Sequence, residues 1–147
     1  MKINKKISLM ALAIPLISSC ATRGEGYETI NQGFRKAMDY LTEMNSLDET
    51  SKFLSSEYLY AKSESYDLSS VSTTTYYYFY KVNFSYEVDK KQENETDYLK
   101  YYDTSDTIVT ISQSRYESLL LQIKAKKIEG RSGSISPADL TSDSADK

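Results

Sequence analysis

The first clear pattern along the chain is a helical stripe of apolar side chains. Beyond residue 26, large apolar residues recur at three- and four-residue steps: Tyr27, Ile30, Phe34, Ala37, Met38, Leu41 and Met44. Residues that recur at this spacing share one face of a helix, and polar residues lie mostly on the opposite side. The pattern predicts an amphipathic helix over roughly 28–47.

A two-residue alternation follows in the middle of the chain. From Lys81 to Val88 polar and apolar residues alternate, and before Lys81 both sets of positions are aromatic. This period predicts a long strand over 73–88 with one face towards a core. Segments 98–102 and 107–111 also favour strands because they are rich in Tyr, Thr, Ile and Val.

The segments around these strands are less uniform. Apolar positions in 53–62 fit either a helix or a strand, and a strand is favoured. The charged stretch 89–97 is expected to be a loop. Residues 103–106, Asp-Thr-Ser-Asp, favour a turn between the two later strands.

A second helix is predicted near residue 120 from a stripe formed by Tyr116, Leu119, Leu120 and Ile123. Ser114 and Glu117 have the spacing of a capping box at its start, and Gly130 can end it. The order of elements is helix, three or four antiparallel strands, helix. We therefore expect an α+β fold with helices packed on one face of the sheet.

The N-terminus has the layout of an export signal. Three lysines within the first six residues precede the apolar run 9–17, which is about half the length of a membrane-spanning helix of roughly 20 residues. The run ends in Ile17-Ser18-Ser19-Cys20, which resembles the lipobox of bacterial lipoproteins. The resemblance implies acylation of Cys20, cleavage before it, and attachment to the membrane through the acyl chains.

The chain accordingly divides into four parts. Residues 1–19 are the predicted signal peptide, and 20–26 are the lipidated cysteine with a short tether. Residues 27–129 form the predicted domain. Residues 130–147, rich in Ser, Gly and Asp, are expected to be a disordered polar tail. The expected location is the outer face of the cell membrane or, in a bacterium with two membranes, the outer membrane.

Composition excludes several chemistries. The chain has 18 basic and 21 acidic residues, no His, no Trp and one Cys. Catalytic triads that use His, His-ligated zinc and an internal disulfide are therefore excluded. Its acidic balance argues against nucleic-acid binding. No catalytic residue, metal ligand or cofactor site is predicted, and we expect a protein that is not an enzyme.

Tyrosine is the unusual residue, with 14 copies in 147 residues. Tyr side chains suit recognition surfaces because they combine large apolar area, a polar tip and little rotamer entropy. The candidate binding surface is the run Tyr76, Tyr77, Tyr78, Phe79 and Tyr80, and the alternative is a tyrosine-rich core. An envelope protein, an extracellular protein or a glycan is the expected partner. The sequence thus indicates a lipid-anchored binding module or, alternatively, an accessory subunit of an envelope complex.

Overall fold

The computed structural model describes residues 26–66 and 72–140, and for residues 64–66, 72 and 73 it describes the backbone alone. The elements in chain order are α1 (Tyr27–Met44), β1 (Lys52–Phe53), β2 (Ser56–Tyr66), β3 (Ser72–Val88), β4 (Lys91–Tyr102), β5 (Thr107–Thr110), α2 (Gln113–Lys124) and β6 (Glu129–Ile135). The predicted signal peptide and Cys20 lie outside the described residues.

The strands form one antiparallel sheet in the order β5-β4-β3-β2-β6, and the short β1 pairs with β3 beyond the end of β2. The α+β class predicted from the sequence is confirmed, and the ambiguous segment 53–62 lies mostly in β2. Two finer predictions are wrong. The sheet has six strands, not three or four, and α2 is followed by β6, so it is not the last element.

The central strand β3 is covered on both faces. On one face, Tyr78, Tyr80, Val82 and Phe84 are buried beneath α1. On the other face, Phe79 is buried with residues of α2. The prediction that the helices share one sheet face is therefore wrong, because the aromatic residues at both sets of positions in β3 need cover on both sides.

The helix α1 lies unusually close to the sheet at Gly33. A Cβ atom at this position would overlap the hydroxyl of Tyr80 and lie 2.7 Å from Cδ2 of Tyr101. The same Tyr80 hydroxyl donates a 2.6 Å hydrogen bond to the carbonyl of Ile30. Gly33 thus permits the approach that brings a buried hydroxyl to the helix backbone.

The charged stretch 89–97 is a strand and not the expected loop. Only Asp89 and Lys90, with φ of 53° and 68°, form the turn between β3 and β4. Two consecutive residues in the left-handed region are typical of a tight type I′ hairpin turn. The remaining residues pair with β3 from Lys91 onwards, so the long β3 strand imposes extended structure on a segment with low strand propensity.

The start of the expected tail is also ordered. Residues 130–135 belong to β6, which pairs with β2 and ends at the buried Ile135, and residues 137–140 begin a helical turn whose Leu140 is buried. The Ser/Gly composition suggested a flexible linker. In the structure, Gly130 instead allows close strand packing, because a Cβ there would lie 3.1 Å from the Cα of Ala61. Residues 141–147 lie outside the described part of the chain.

The ends of α2 differ from the prediction. Ser112, not Ser114, is the N-cap, and its hydroxyl accepts a 3.1 Å hydrogen bond from the backbone N–H of Arg115. The helix ends at Lys124, and Lys126 has φ of 61° just beyond it. Gly130 therefore does not end the helix.

Candidate functional site

The structure divides the predicted aromatic surface into core and boundary residues. Tyr78, Phe79 and Tyr80 are buried, with at most 3% of their surface exposed. Tyr76 and Tyr77 are half-buried. The last three residues of the run therefore belong to a tyrosine-rich core, and only its first two residues reach the surface.

Those two residues lie on opposite faces of the sheet. The ring of Tyr76 stacks on that of Tyr60, with centroids 5.7 Å apart and planes at 8°. Tyr77 instead faces the side of α2, where the ammonium of Lys100 lies 5.0 Å from its ring centroid. The run therefore contributes one aromatic side chain to each of two separate surfaces.

The more exposed of these surfaces is built by Tyr77, Lys100 and Tyr102, which we call the Tyr77–Tyr102 surface. Tyr102 is 41% exposed, and Val109, opposite Lys100 on β5, is 38% exposed. The Lys100 ammonium lies 4.5 Å from the Tyr102 ring centroid and 5.7 Å from that of Phe79. Three rings therefore surround one ammonium group.

This arrangement suits binding. Cation–π contacts at exposed sites contribute about 0.5–1 kcal/mol each, and they hold the rings and the ammonium in one geometry before a partner arrives. Ordered side chains lose less entropy on association. The surface offers flat aromatic area, hydroxyl tips and one positive charge.

A shallow groove of about 170 Å³ lies at the opposite face, lined by Tyr60, Lys62, Glu129, Gly130 and Arg131. The Arg131 guanidinium lies 4.9 Å from the Tyr60 ring centroid. The Lys62 ammonium lies 3.9 Å from a carboxylate oxygen of Glu129. The groove is smaller than the roughly 300 Å³ of a typical small-molecule pocket.

A polar network joins α1 to the turn between β4 and β5. Asp106 accepts hydrogen bonds from the hydroxyl of Tyr101 at 2.6 Å and from the amide of Gln32 at 3.3 Å. Its other oxygen lies 3.1 Å from the ammonium of Lys36. These donors, Tyr101 first, lower the pKa of Asp106. The carboxylate is thus held ionised as a structural acceptor, and we assign it no catalytic role.

Three tyrosines of the core, Tyr80, Tyr101 and Tyr116, keep their hydroxyl protons near neutral pH. Burial is the main cause that raises the pKa of Tyr80, Tyr101 and Tyr116. The Tyr116 hydroxyl is buried and has no hydrogen-bond partner among the described residues. These side chains therefore belong to the core.

The sequence did not reveal Lys100, Tyr102 or Val109 as surface residues. Their segments were predicted as strands, but the cluster depends on which residues of β3, β4 and β5 lie opposite one another. Phe79 pairs with Lys100, and Lys100 with Val109. Strand alternation in 98–102 could have grouped Lys100 with Tyr102, whereas the pairing with Tyr77 needed the register.

Within 26–66 and 72–140, no group of three or more His, Cys, Asp or Glu residues is arranged to hold a metal ion. None of the helices in these ranges has the length and apolar character needed to cross a membrane. Comparison of the chain with protein-family models, curated proteins and solved structures found no match.

Proposed function

We propose that the chain is a lipid-anchored protein of a bacterial envelope whose small domain acts by binding and not by catalysis. The anchor is supported by the signal-like N-terminus and by Cys20, the one cysteine of the chain, at the end of a lipobox sequence. The binding role is supported by the exposed Tyr77–Tyr102 surface.

The anchor has a clear energetic basis. Each buried CH₂ group contributes about 0.8 kcal/mol, and stable attachment takes more than one chain, which a di- or triacylated Cys20 provides. Cleavage before Cys20 removes three lysines, so the net charge changes from −3 to −6. The acyl chains, and not charge, therefore hold this acidic domain at an anionic membrane.

The anchor also limits where the domain lies. Only six residues follow Cys20 before the tether ends at Gly26, and six extended residues span about 20 Å. The domain is thus held close to the bilayer, on the outer face of the cell membrane or on the outer membrane of a two-membrane cell. Its partners are envelope or extracellular proteins or glycans.

In-cell photo-crosslinking tests the binding role. A photoreactive phenylalanine analogue replaces Tyr102 in the membrane-anchored protein, and the matched control carries it at Leu121, which is 67% exposed on α2. We expect a defined crosslinked product from position 102 and none from position 121. The same pattern of products from both positions would refute the proposed surface.

The mass of the product distinguishes the kinds of partner. One stoichiometric envelope protein would favour the accessory-subunit alternative, whereas a glycan or a soluble extracellular protein would favour a free-standing binder. The anchor is tested separately by Cys20→Ser. We expect this variant to lose acylation by mass spectrometry and to leave the membrane fraction, and unchanged membrane retention would refute the anchor.

A further inference from the structure

The outer edge of β4 is only partly covered. β5 pairs with Leu99–Tyr102, and the backbone N–H of Ile111 donates to the carbonyl of Tyr98 at 2.9 Å. In the part of the chain that the structure describes, no strand pairs with 91–97 on the side away from β3. Seven residues of β4 therefore present an open edge to an incoming strand.

The direction of the edge groups follows from the Tyr98 contact. In an antiparallel strand the N–H and C=O of one residue point to the same side, and the side alternates along the chain. Since the Tyr98 carbonyl points outwards, the backbone groups of Thr96, Asn94 and Gln92 also point outwards. Three donor and acceptor pairs are thus aligned for a further strand.

The residues between these outward-pointing positions of β4 are acidic. Glu93, Glu95 and Asp97 alternate along β4, so their side chains share one face of the sheet, the face of Tyr86. The Tyr86 hydroxyl donates a 3.2 Å hydrogen bond to Glu95. No ion pair involves these three carboxylates within the described residues. Burial and the nearby Glu95 raise the pKa of Asp97. Lys91 shares the same face at the start of the row, so the three acidic residues outnumber one basic residue there.

The geometry favours cross-strand pairing at these positions. The backbone groups of Glu93, Glu95 and Asp97 point towards β3 and away from an added strand. These residues would therefore form non-hydrogen-bonded pairs with the added strand, and in such pairs the opposing side chains approach most closely. Basic side chains at every second position of an added strand would lie opposite all three carboxylates.

We propose that the open edge of β4, residues 91–97, binds an extended segment of a partner protein in which Lys or Arg recurs at every second position. The added strand pairs with the outward backbone groups of β4, and its basic side chains pair with Glu93, Glu95 and Asp97. This surface is separate from the Tyr77–Tyr102 surface and does not depend on the lipid anchor.

A second copy of this chain fits the edge less well than a basic strand. Antiparallel pairing of two β4 edges about Glu95 would set all three carboxylates opposite carboxylates, and like charges directly opposite each other are destabilising. The acidic row therefore disfavours this self-pairing of the exposed edge and favours a basic strand.

A labelled ten-residue peptide of alternating Lys and Thr tests the proposal against the full chain in the presence of phosphatidylcholine vesicles, whose neutral headgroups do not attract the peptide. Fluorescence anisotropy measures binding, and the control peptide alternates Glu and Thr. We expect the Lys peptide to saturate at one per chain and the Glu peptide not to bind. Glu95→Gln should weaken binding by up to about fivefold, the upper limit for one cross-strand charge pair.

Two changes remove hydrogen bonding without changing charge. Asn94→Pro deletes an outward N–H that the β3–β4 ladder does not use, and we expect it to weaken binding at least tenfold. If that variant does not fold, a peptide N-methylated at its Thr residues makes the same test on the unchanged protein, because it lacks the backbone N–H groups that point towards β4. A peptide N-methylated at its Lys residues, whose N–H groups point away from β4, is the matched control. Binding that withstands Thr methylation, or no binding of the Lys peptide, would overturn the proposal.

Discussion

Replacing Gly33 with Ala gives the sharpest test of the packing between α1 and the sheet. Alanine normally stabilises a helix interior by about 1 kcal/mol relative to glycine. Here the new Cβ would overlap the Tyr80 hydroxyl and lie 2.7 Å and 2.9 Å from ring atoms of Tyr101. Overpacking of this kind costs about 1–3 kcal/mol. Displacing the hydroxyl from Ile30 costs about 0.5–1.5 kcal/mol more.

The sum predicts that Gly33→Ala destabilises the protein by about 0.5–3.5 kcal/mol once the helix-propensity gain is subtracted. Denaturant unfolding measures this difference, with tyrosine fluorescence as a probe because the chain has 14 Tyr and no Trp. Exposed Asp39 of α1 supplies the control. There, Ala should be more stable than Gly by about 1 kcal/mol.

The critical result is that alanine, compared with glycine, lowers the stability at position 33 and raises it at position 39. If Gly33→Ala stabilised the protein as Ala does at position 39, α1 could not lie this close to Tyr80 and Tyr101. A second check is the variant pair Gly33→Ala and Tyr80→Phe. Removal of the hydroxyl should recover part of the loss, so the double variant should be more stable than the sum of the single effects predicts.

Three further outcomes are expected from denaturant unfolding. Asp106→Asn should lower stability above about pH 4, the ordinary pKa of a free carboxyl. The difference should shrink as the pH falls through the lowered folded-state pKa of Asp106, because the carboxylate contributes stability only while it is ionised. A difference that stayed constant as the pH fell would contradict this. Tyr80→Phe should lower stability by about 1 kcal/mol because the hydrogen bond to Ile30 is lost. Tyr116→Phe should be neutral or stabilising because the Tyr116 hydroxyl has no hydrogen-bond partner among the described residues. Equal losses of stability in the two variants would argue against both assignments. A chain ending at Ile128 lacks β6 and should unfold at lower denaturant concentration, while an unchanged midpoint would show that the strand contributes nothing.

The local periods of the sequence predicted much of the secondary structure. The three- and four-residue steps from Tyr27 to Met44 marked α1, and the alternation up to Val88 marked β3, because a buried face repeats with the period of its backbone. Both signals are local. They also sufficed for the α+β class.

Tertiary structure decided the elements with weak local patterns. Residues 91–97 are polar and charged, yet they form a strand because the turn at Asp89 and Lys90 aligns them with β3. Likewise, Gly130 and its Ser-rich neighbours resemble a linker but complete the sheet beside β2. In both segments, pairing with a partner strand outweighs weak strand propensity.

The candidate sites also divide into features that the sequence predicts and features that only the tertiary structure decides. Sequence alone determined Cys20 as the predicted anchor and marked Tyr76–Tyr80 as unusual, because a motif and a composition are both read along the chain. The helices α1 and α2 each cover one face of β3, and this packing decides which tyrosines are buried. The grouping of Tyr77 with Lys100 and Tyr102, and the open edge of β4, depended on strand register and sheet order. Those are contacts between residues distant in the chain, and no local period encodes them.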